Sequence, residues 1–303
     1  MPELLNKPIF FIGAPRSGTT IISESFSTHE NLSWFSNRFH KHPTAPIVSL
    51  FSRLTFLHIF WGTKAYSRHR SFLKRNIPYA SECYPVWQHL CGKKFLFDFL
   101  LGKTADEIET ENTIRFIKKV MLFQGKDRFT AKITGPSRIT FLNSIFPDAI
   151  FVHIIRDGRA VVNSLMSVPF WKKGGGYETP WWTNGLTDED MADYERHDKS
   201  PLALAAVQWR RIIHAARSEA SGISEDRYLE IKYEDFMNNP YDSMSKLLDR
   251  CDLKPSSRVY NYMRSIRFKN MNFKYTQSIQ NDHIAMLNDI MGDLLIELGY
   301  NLV

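Results

Sequence analysis

The chain has 303 residues, of which 43% are hydrophobic and 14% aromatic, so it can bury a large core. This composition excludes a disordered or low-complexity protein, and no internal repeat indicates a solenoid. The formal net charge of +7 suits a polyanionic ligand, a nucleic acid or an anionic membrane surface, but scattered basic residues are also typical of an ordinary solvated surface. Three cysteines without metal-like spacing argue against a disulfide framework or a zinc site and predict the reducing cytoplasm: Cys83, Cys91 and Cys251.

The first predicted unit runs from a strand through a glycine-containing turn into a helix. Residues 8–12 form an apolar run typical of a buried strand, residues 13–18 a turn, and residues 19–26 a helix-compatible segment. The apolar run is short and is broken by Gly13 and Pro15, so it lacks the pattern of a secretory signal peptide. The most apolar stretch farther along, residues 56–61, is too short to span a bilayer and contains His58. The sequence therefore predicts no membrane span.

Helical and strand-like patterns alternate through the rest of the chain. The predicted elements are a helix over 106–123, a strand over 129–133, a strand over 149–155, a helix over 160–167, a helix over 202–216 and a strand over 228–233. This alternation predicts an α/β fold: one P-loop-type domain, residues 1–303, with a central, mostly parallel sheet flanked by helices. Residues 171–200 interrupt the pattern with a glycine triplet, a tryptophan pair and mixed charges. Long irregular segments are often functional, so we predict a lid insertion there.

The turn after the first strand has the features of an anion-binding loop. Residues 13–20, GAPRSGTT, keep the two-glycine spacing that lets backbone N–H groups and a helix N-terminus converge on a phosphate. A nucleoside triphosphatase has a lysine directly after the second glycine, but Thr19 stands there and the cation of the loop is Arg16. A hydroxyl-rich loop with one guanidinium suits a phosphosulfate. Taken alone, the loop is equally compatible with a simple tight turn.

A second segment, residues 155–164 with the sequence IRDGRAVVNS, is an independent candidate for a phosphate site. Arg156 ends a predicted strand, and Ser164 lies two helical turns later. We expect both to close on one phosphate if the loop folds back. The alternative is a surface turn whose arginines pair with acidic residues.

Together these segments resemble the sulfotransferase superfamily that uses 3′-phosphoadenosine-5′-phosphosulfate (PAPS), particularly its bacterial members and the tyrosylprotein sulfotransferases. PRSGTT is similar to that family's 5′-phosphosulfate loop, and RDGRAVVNS is similar to its 3′-phosphate motif. The similarity runs from residue 8 to about residue 253 and includes ITGP, IFPD, QWR and YLEIKYEDF. It implies transfer of a sulfuryl group from PAPS to an acceptor hydroxyl, with adenosine 3′,5′-bisphosphate as the product and no metal.

The resemblance also implies nucleotide-binding residues. The 5′-phosphosulfate contacts are implied for Arg16, Ser17, Gly18, Thr19 and Thr20, and the 3′-phosphate contacts for Arg156 and Ser164. Tyr233 matches a position near the nucleotide in relatives, although it is equally compatible with a core aromatic. Lys274 falls where bacterial relatives often carry a basic residue near the nucleotide.

Sulfuryl transfer resembles phosphoryl transfer, because charge builds on the bridging oxygen of the leaving nucleotide. We expect Arg16 and the amides of residues 17–20 to stabilise that charge during in-line transfer. Lys132, near the end of a predicted strand, is a candidate to support the sulfuryl oxygens, or else is simply an exposed lysine.

The acceptor hydroxyl also needs a base. Glu82 ranks first, because SECYPVW at residues 81–87 resembles a Glu-to-Trp element of bacterial relatives; His40 and His42 are the alternatives.

The acceptor itself is open, with small molecules, lipids, glycans and natural products all possible. The aromatic residues at 58–61, 168–171 and 181–182 either line an acceptor cleft or simply pack. Two other functions stay open: a P-loop kinase or NTPase, which needs magnesium, and a non-catalytic nucleotide-binding module. A nucleic-acid binder is disfavoured, because the chain has no concentrated basic run.

Overall fold

The computed structural model describes residues 5–54 and 78–302. Its centre is a five-stranded sheet with the spatial order β2-β3-β1-β4-β5, in which every neighbouring pair of strands is parallel. The strands are β1 Ile9–Gly13, β2 Leu32–Ser33, β3 Arg128–Thr134, β4 Ile150–Ile155 and β5 Tyr228–Lys232. The predicted α/β fold with a parallel sheet is confirmed.

Helices connect the strands and cover both faces of the sheet. In chain order the α-helices described are α1 Thr19–Ser27, α2 Tyr84–Cys91, α3 Lys94–Phe97, α4 Glu107–Gln124, α5 Ile139–Ile145, α6 Gly158–Met166, α7 Pro169–Lys173, α8 Asp188–Arg196, α9 Pro201–Ala220, α10 Tyr233–Asn238, α11 Pro240–Arg250, α12 Ser257–Arg264, α13 Phe273–Ser278 and α14 Asn281–Glu297. Short 3-10 helices occupy Asn37–His40, Pro46–Leu54 and Glu225–Arg227. In the ranges 5–54 and 78–302, no helix has both the length and the apolar character that a membrane span requires.

The central strands are buried on both faces, which explains their continuous apolar sequences. Every residue of β1 and β4 is buried. Successive strand side chains point to opposite faces. Accordingly Ile9 and Phe11 pack in one core with Phe26 of α1, whereas Phe10 and Ile12 pack in another core on the opposite side of the sheet. The period of two along β1 therefore builds two separate cores against two layers of helices.

The strand order places a crevice at the carboxyl ends of β1 and β4. From β1 the chain moves to one side of the sheet through β2 and β3, and it then crosses to the other side of β1 to form β4. Loops that leave two adjacent parallel strands in opposite directions open a crevice at the carboxyl edge, where α/β proteins bind ligands. The two predicted phosphate motifs follow these two strands directly.

Two local differences from the sequence prediction have a physical cause. Tyr233 begins α10 and does not end β5, because a Glu-Asp pair follows it and acidic residues are favourable in the first turn of a helix. Residues 171–200 contain α8, which begins with a capping box at Thr187 and Asp190 and has little apolar periodicity.

Candidate active site

The predicted anion loop connects β1 to α1, and other parts of the chain approach its two glycines closely. A Cβ atom at Gly13 would lie 2.5 Å from the carbonyl oxygen of Ile154, and one at Gly18 would lie 2.3 Å from Cδ2 of Tyr233. Their φ angles of 147° and 84° are also in the region that favours glycine. A side chain at either position would push the loop away from β4 or from Tyr233.

Polar groups at the end of this loop are left for a ligand. The hydroxyl of Ser17 is buried and has no hydrogen-bond partner among the described residues. The nine-residue helix α1 begins at Thr19 without a capping side chain, so the first N–H groups of the helix lack side-chain acceptors. A buried hydroxyl and an uncapped helix N-terminus at the same place suit an anion.

The two arginines of the RDGR segment have opposite environments. Arg159 donates to both carboxylate oxygens of Asp157, from Nε at 3.0 Å and from Nη2 at 2.8 Å, so its charge is compensated. Arg156 is also buried, and burial lowers its pKa, but it donates to neutral oxygens. These are Oδ1 of Asn272 at 2.8 Å and the carbonyl of Arg16 at 2.9 Å. A buried guanidinium with no carboxylate in contact among residues 5–54 and 78–302 attracts an anion.

The two predicted phosphate motifs meet in one cleft. Nε of Arg16 donates to Oγ of Ser164 at 2.9 Å, and the guanidinium of Arg156 lies 4.4 Å from the ring centroid of Tyr233. The cleft has a volume of about 750 Å³ and is lined by eight of the nine predicted nucleotide-binding residues, namely Arg16, Gly18, Thr19, Thr20, Arg156, Ser164, Tyr233 and Lys274. The ninth is Ser17, with its buried hydroxyl.

The first-ranked candidate base lies beside the phosphate loop. Nζ of Lys132, on β3, donates to Oγ1 of Thr20 at 2.7 Å and lies 3.1 Å from Oε1 of Glu82. Oγ1 of Thr134 donates to the same oxygen of Glu82 at 2.9 Å. The Lys132 side chain is only 16% exposed, so it is not the solvated strand-end lysine of the alternative interpretation. Lys132 connects the phosphate loop to Glu82.

Tyr84, His40 and His42 lie at different distances from Glu82 and Lys132. Tyr84 donates its hydroxyl to the carbonyl of Thr134, and burial raises its pKa, so the phenol stays protonated near neutral pH. Nε2 of His40 lies 2.9 Å from Oγ of Ser81, the residue before Glu82. His40 and His42 are both exposed, and the residues that line the 750 Å³ cleft include none of Glu82, Lys132, His40 and His42.

A family model described as "Sulfotransferase family" matches residues 8–257. This range covers most of the chain and includes both predicted phosphate motifs. The chain belongs to the sulfotransferase family.

Individual relatives of this sulfotransferase-family chain are distant. Protein-tyrosine sulfotransferase A of Caenorhabditis elegans is 23% identical over 159 residues, which cover 50% of this chain and 35% of that protein. The chain thus spans about a third of the curated relative that it matches. Sulfotransferase STF9 from Mycobacterium avium superposes with a TM-score of 0.59 at 17% identity, covering 99% of this chain and 79% of that one. Sulfotransferase STF1 from Mycobacterium tuberculosis has a TM-score of 0.55 at 14% identity, covering 90% and 76%. These two structures establish a shared fold.

Two residues of the candidate site, Asn272 and Glu234, are not predicted from the sequence. Asn272 contacts Arg156 through Oδ1 and donates from Nδ2 to Oε1 of Glu234. The available signal was position alone, because Glu234 follows Tyr233 and Asn272 lies two residues before Lys274. Other lining residues come from the same C-terminal region: Tyr262, Ile266, Met271 and Tyr275.

The aromatic residues considered for an acceptor cleft mainly pack against one another. The rings of Trp171 and Trp181 stack with centroids 5.3 Å apart, and Trp171 and Trp182 are buried. Phe170 is half-exposed. Residues 58–61 lie outside the described residues. Within the described ranges no group of three or more His, Cys, Asp or Glu side chains is arranged to hold a metal ion.

Proposed function

We propose that this chain transfers a sulfuryl group from PAPS to an acceptor hydroxyl. The observation that carries the proposal is the single cleft in which Arg16, from the first motif, contacts Ser164, from the second, beside the charge of Arg156. A donor with phosphate groups at both ends of its ribose requires two anion sites at a fixed separation. Two loops at the carboxyl ends of adjacent strands supply them.

The residues present fit PAPS, whose chemical contribution is an activated sulfuryl group. The amides and hydroxyls of residues 17–20 together with Arg16 would hold the 5′-phosphosulfate, which would give the buried hydroxyl of Ser17 a partner. Arg156 and Ser164 would hold the 3′-phosphate, which would compensate the charge of Arg156. Tyr233 and Lys274, which both line the cleft, would lie beside the nucleotide.

Arg16 and the loop amides would stabilise the negative charge that develops on the leaving nucleotide during in-line transfer. Arginine stays protonated at all working pH values, so Arg16 would act as an electrostatic clamp and not as a proton donor. Lys132, held between Thr20 and Glu82, would donate a hydrogen bond to the sulfuryl oxygens.

Glu82 would accept the proton of the acceptor hydroxyl. The contacts from Lys132 and Thr134 both end on Oε1, so we assign the proton to Oε2. His40, which contacts Ser81, and His42 are the alternative bases, and both are exposed.

The acceptor class remains a hydroxyl on a small molecule, a lipid, a glycan or a natural product. The predicted lid at residues 171–200 would cover donor and acceptor. The three cysteines are free and buried, which supports a reducing compartment such as the cytoplasm.

Calorimetric titration with adenosine 3′,5′-bisphosphate in magnesium-free buffer tests the nucleotide site. We expect binding without metal; a strict magnesium requirement with preference for ATP would favour the kinase or NTPase alternative. A PAPS-dependent screen of pooled acceptors, read as the mass increase of one sulfuryl group, tests catalysis. Binding without any turnover across the pools would favour the non-catalytic nucleotide-binding module.

A further inference from the structure

Arg156 is oriented by a neutral side chain that is itself held by a carboxylate. Nε of Arg156 donates to Oδ1 of Asn272 at 2.8 Å, and Nδ2 of Asn272 donates to Oε1 of Glu234. The arginine and the glutamate therefore share Asn272 and do not form an ion pair with each other. This connection runs from the second phosphate motif to the C-terminal segment of the chain.

The chemistry of the two partners determines the orientation of the Asn272 amide. A guanidinium can only donate hydrogen bonds, so it must meet the amide oxygen, and an ionised carboxylate can only accept them, so it must meet the amide nitrogen. Glu234 is held in turn by the backbone N–H of Asp157 at 3.2 Å and by the hydroxyl of Tyr300, which donates to Oε2 at 2.9 Å. The amide of Asn272 consequently has one stable orientation.

Because the Asn272 side chain is neutral, the positive charge of Arg156 can still bind an anion. Arg159, in the same segment, shows the contrast, because its direct bidentate contact with Asp157 compensates its charge and makes it a structural residue. If Glu234 touched Arg156 directly, the same compensation would apply and an incoming phosphate would have to compete with a carboxylate. The Asn272 amide links Arg156 to Glu234 and orients the guanidinium, but it brings no negative charge into contact with Arg156.

We propose that Asn272, anchored by Glu234, is a positioning residue that aims Arg156 at the 3′-phosphate of the nucleotide and keeps its charge uncompensated. The inference rests on the proposed function, because it takes the anion at Arg156 to be the 3′-phosphate. The role predicts a specific signature: changes at Asn272 alter the preference for a 3′-phosphorylated nucleotide and leave the affinity for the rest of the nucleotide nearly unchanged.

The test uses the full chain and two probes, adenosine 3′,5′-bisphosphate and adenosine 5′-monophosphate, titrated calorimetrically without magnesium. Asn272→Asp keeps the size of the side chain and an oxygen for Arg156 but sets a second acidic group against Oε1 of Glu234, which adds one negative charge when both groups are ionised. We expect it to weaken bisphosphate binding by about 10- to 100-fold and monophosphate binding by less than about threefold. Asn272→Ala, which removes the orienting contact without adding charge, should weaken bisphosphate binding by about three- to tenfold.

The matched control is Asn288→Asp. Oδ1 of Asn288 accepts from Nη1 of Arg159 at 3.4 Å, so the control adds the same charge beside the other arginine of the segment. We expect it to leave the ratio of the two affinities unchanged. A merely structural role for Asn272 would lower both affinities of its variants together.

The outcomes separate this inference from the proposed function. If the unaltered protein does not prefer the bisphosphate, the assignment of the 3′-phosphate site is wrong, and the role of Asn272 falls with it. If the unaltered protein prefers the bisphosphate and both Asn272→Asp and Asn272→Ala keep that preference, only the role of Asn272 is overturned. If Asn272→Asp does not fold, the ratio of bisphosphate affinity to monophosphate affinity in Asn272→Ala tests the role of Asn272.

Discussion

The proposed nucleotide side and the proposed acceptor side of the candidate site are held together in different ways. On the nucleotide side, two loops that leave adjacent strands contact each other directly, through Arg16 and Ser164 and through Arg156 and the carbonyl of Arg16. On the acceptor side, one carboxylate, Glu82, is held by Lys132 and Thr134. A phosphate site can be built from backbone amides and short motifs, whereas the position of a base depends on side chains from separate elements.

Replacement of the candidate base, Glu82, should have the largest effect, and it tests whether catalysis can be lost while nucleotide binding is kept. Glu82→Gln keeps the shape of the side chain, so we expect unchanged affinity for adenosine 3′,5′-bisphosphate and a loss of turnover of ~10²–10⁴-fold, because the amide cannot accept the proton. Single-turnover rates with PAPS and an identified acceptor measure the effect. Glu111→Gln is the control, because Glu111 is exposed and pairs with Arg115 on α4. Near-normal turnover of Glu82→Gln would exclude Glu82 as the base, and replacement of His40 and then His42 would follow.

Lowering the pH should reduce the stability of the whole domain, so both sides of the site should unfold together. His153 is buried on β4, the strand that leads to Arg156, and burial lowers the pKa of His153 to about 4, from 6.5 when unfolded. Between these values the unfolded chain binds the extra proton and the folded chain does not, so stability falls as the pH decreases from 6.5 to 4. The full difference corresponds to roughly 3 kcal/mol in the free energy of unfolding.

Urea unfolding at several pH values measures this effect. The groups facing His153 are Tyr228, whose hydroxyl lies 2.6 Å from Nδ1, and Glu230, which is paired with Arg217. His153→Phe should reduce the slope in this pH window. Separate unfolding transitions for tryptophan fluorescence and for nucleotide binding would show that the two sides do not unfold as one domain.

Removal of the uncompensated arginine should impair nucleotide binding alone. Arg156→Ala should weaken adenosine 3′,5′-bisphosphate binding by about 10- to 100-fold, because hydrogen bonds to charged groups contribute about 1.5–3 kcal/mol. Ser164→Ala should have a smaller effect, about three- to tenfold, because a hydroxyl makes a neutral donor. Arg115→Ala on the surface of α4 is the control. Unchanged affinity in folded Arg156→Ala would remove this residue from the site.

The smallest effect is expected in the predicted lid. Hydrogen exchange should show residues 171–200 less protected in the free protein than with nucleotide and acceptor bound. The structure sharpens this expectation, because Arg210 of α9 pairs with Asp190 and Asp193 of α8 at 2.7 and 2.6 Å. Exchange should therefore differ most in residues 174–187, which precede α8. Full protection of this stretch in the free protein would contradict a lid.

The elements with strong local signals were predicted well from the sequence. The predicted strand at 149–155 and helix at 106–123 agree with β4 and α4 to within a residue at each end. Continuous apolar runs and 3.6-residue periodicity reflect burial, which the chain encodes locally. The helix α8 was missed, because most of its surface is polar and its stability comes from a capping box and from ion pairs with Arg210.

Some features of the candidate site were likewise predictable from the sequence, and others were not. The glycine spacing and the RDGR segment are each a short continuous stretch of the chain, so the sequence alone determined the two candidate anion sites. Which arginine has no carboxylate in contact among the described residues was decided only by tertiary structure, because Asp157 turns toward Arg159 while Asn272 comes from more than a hundred residues away to meet Arg156. The same holds for Glu82, whose contacts with Lys132 and Thr134 on β3 depend on how distant elements pack and leave no periodic or spacing signal in the chain.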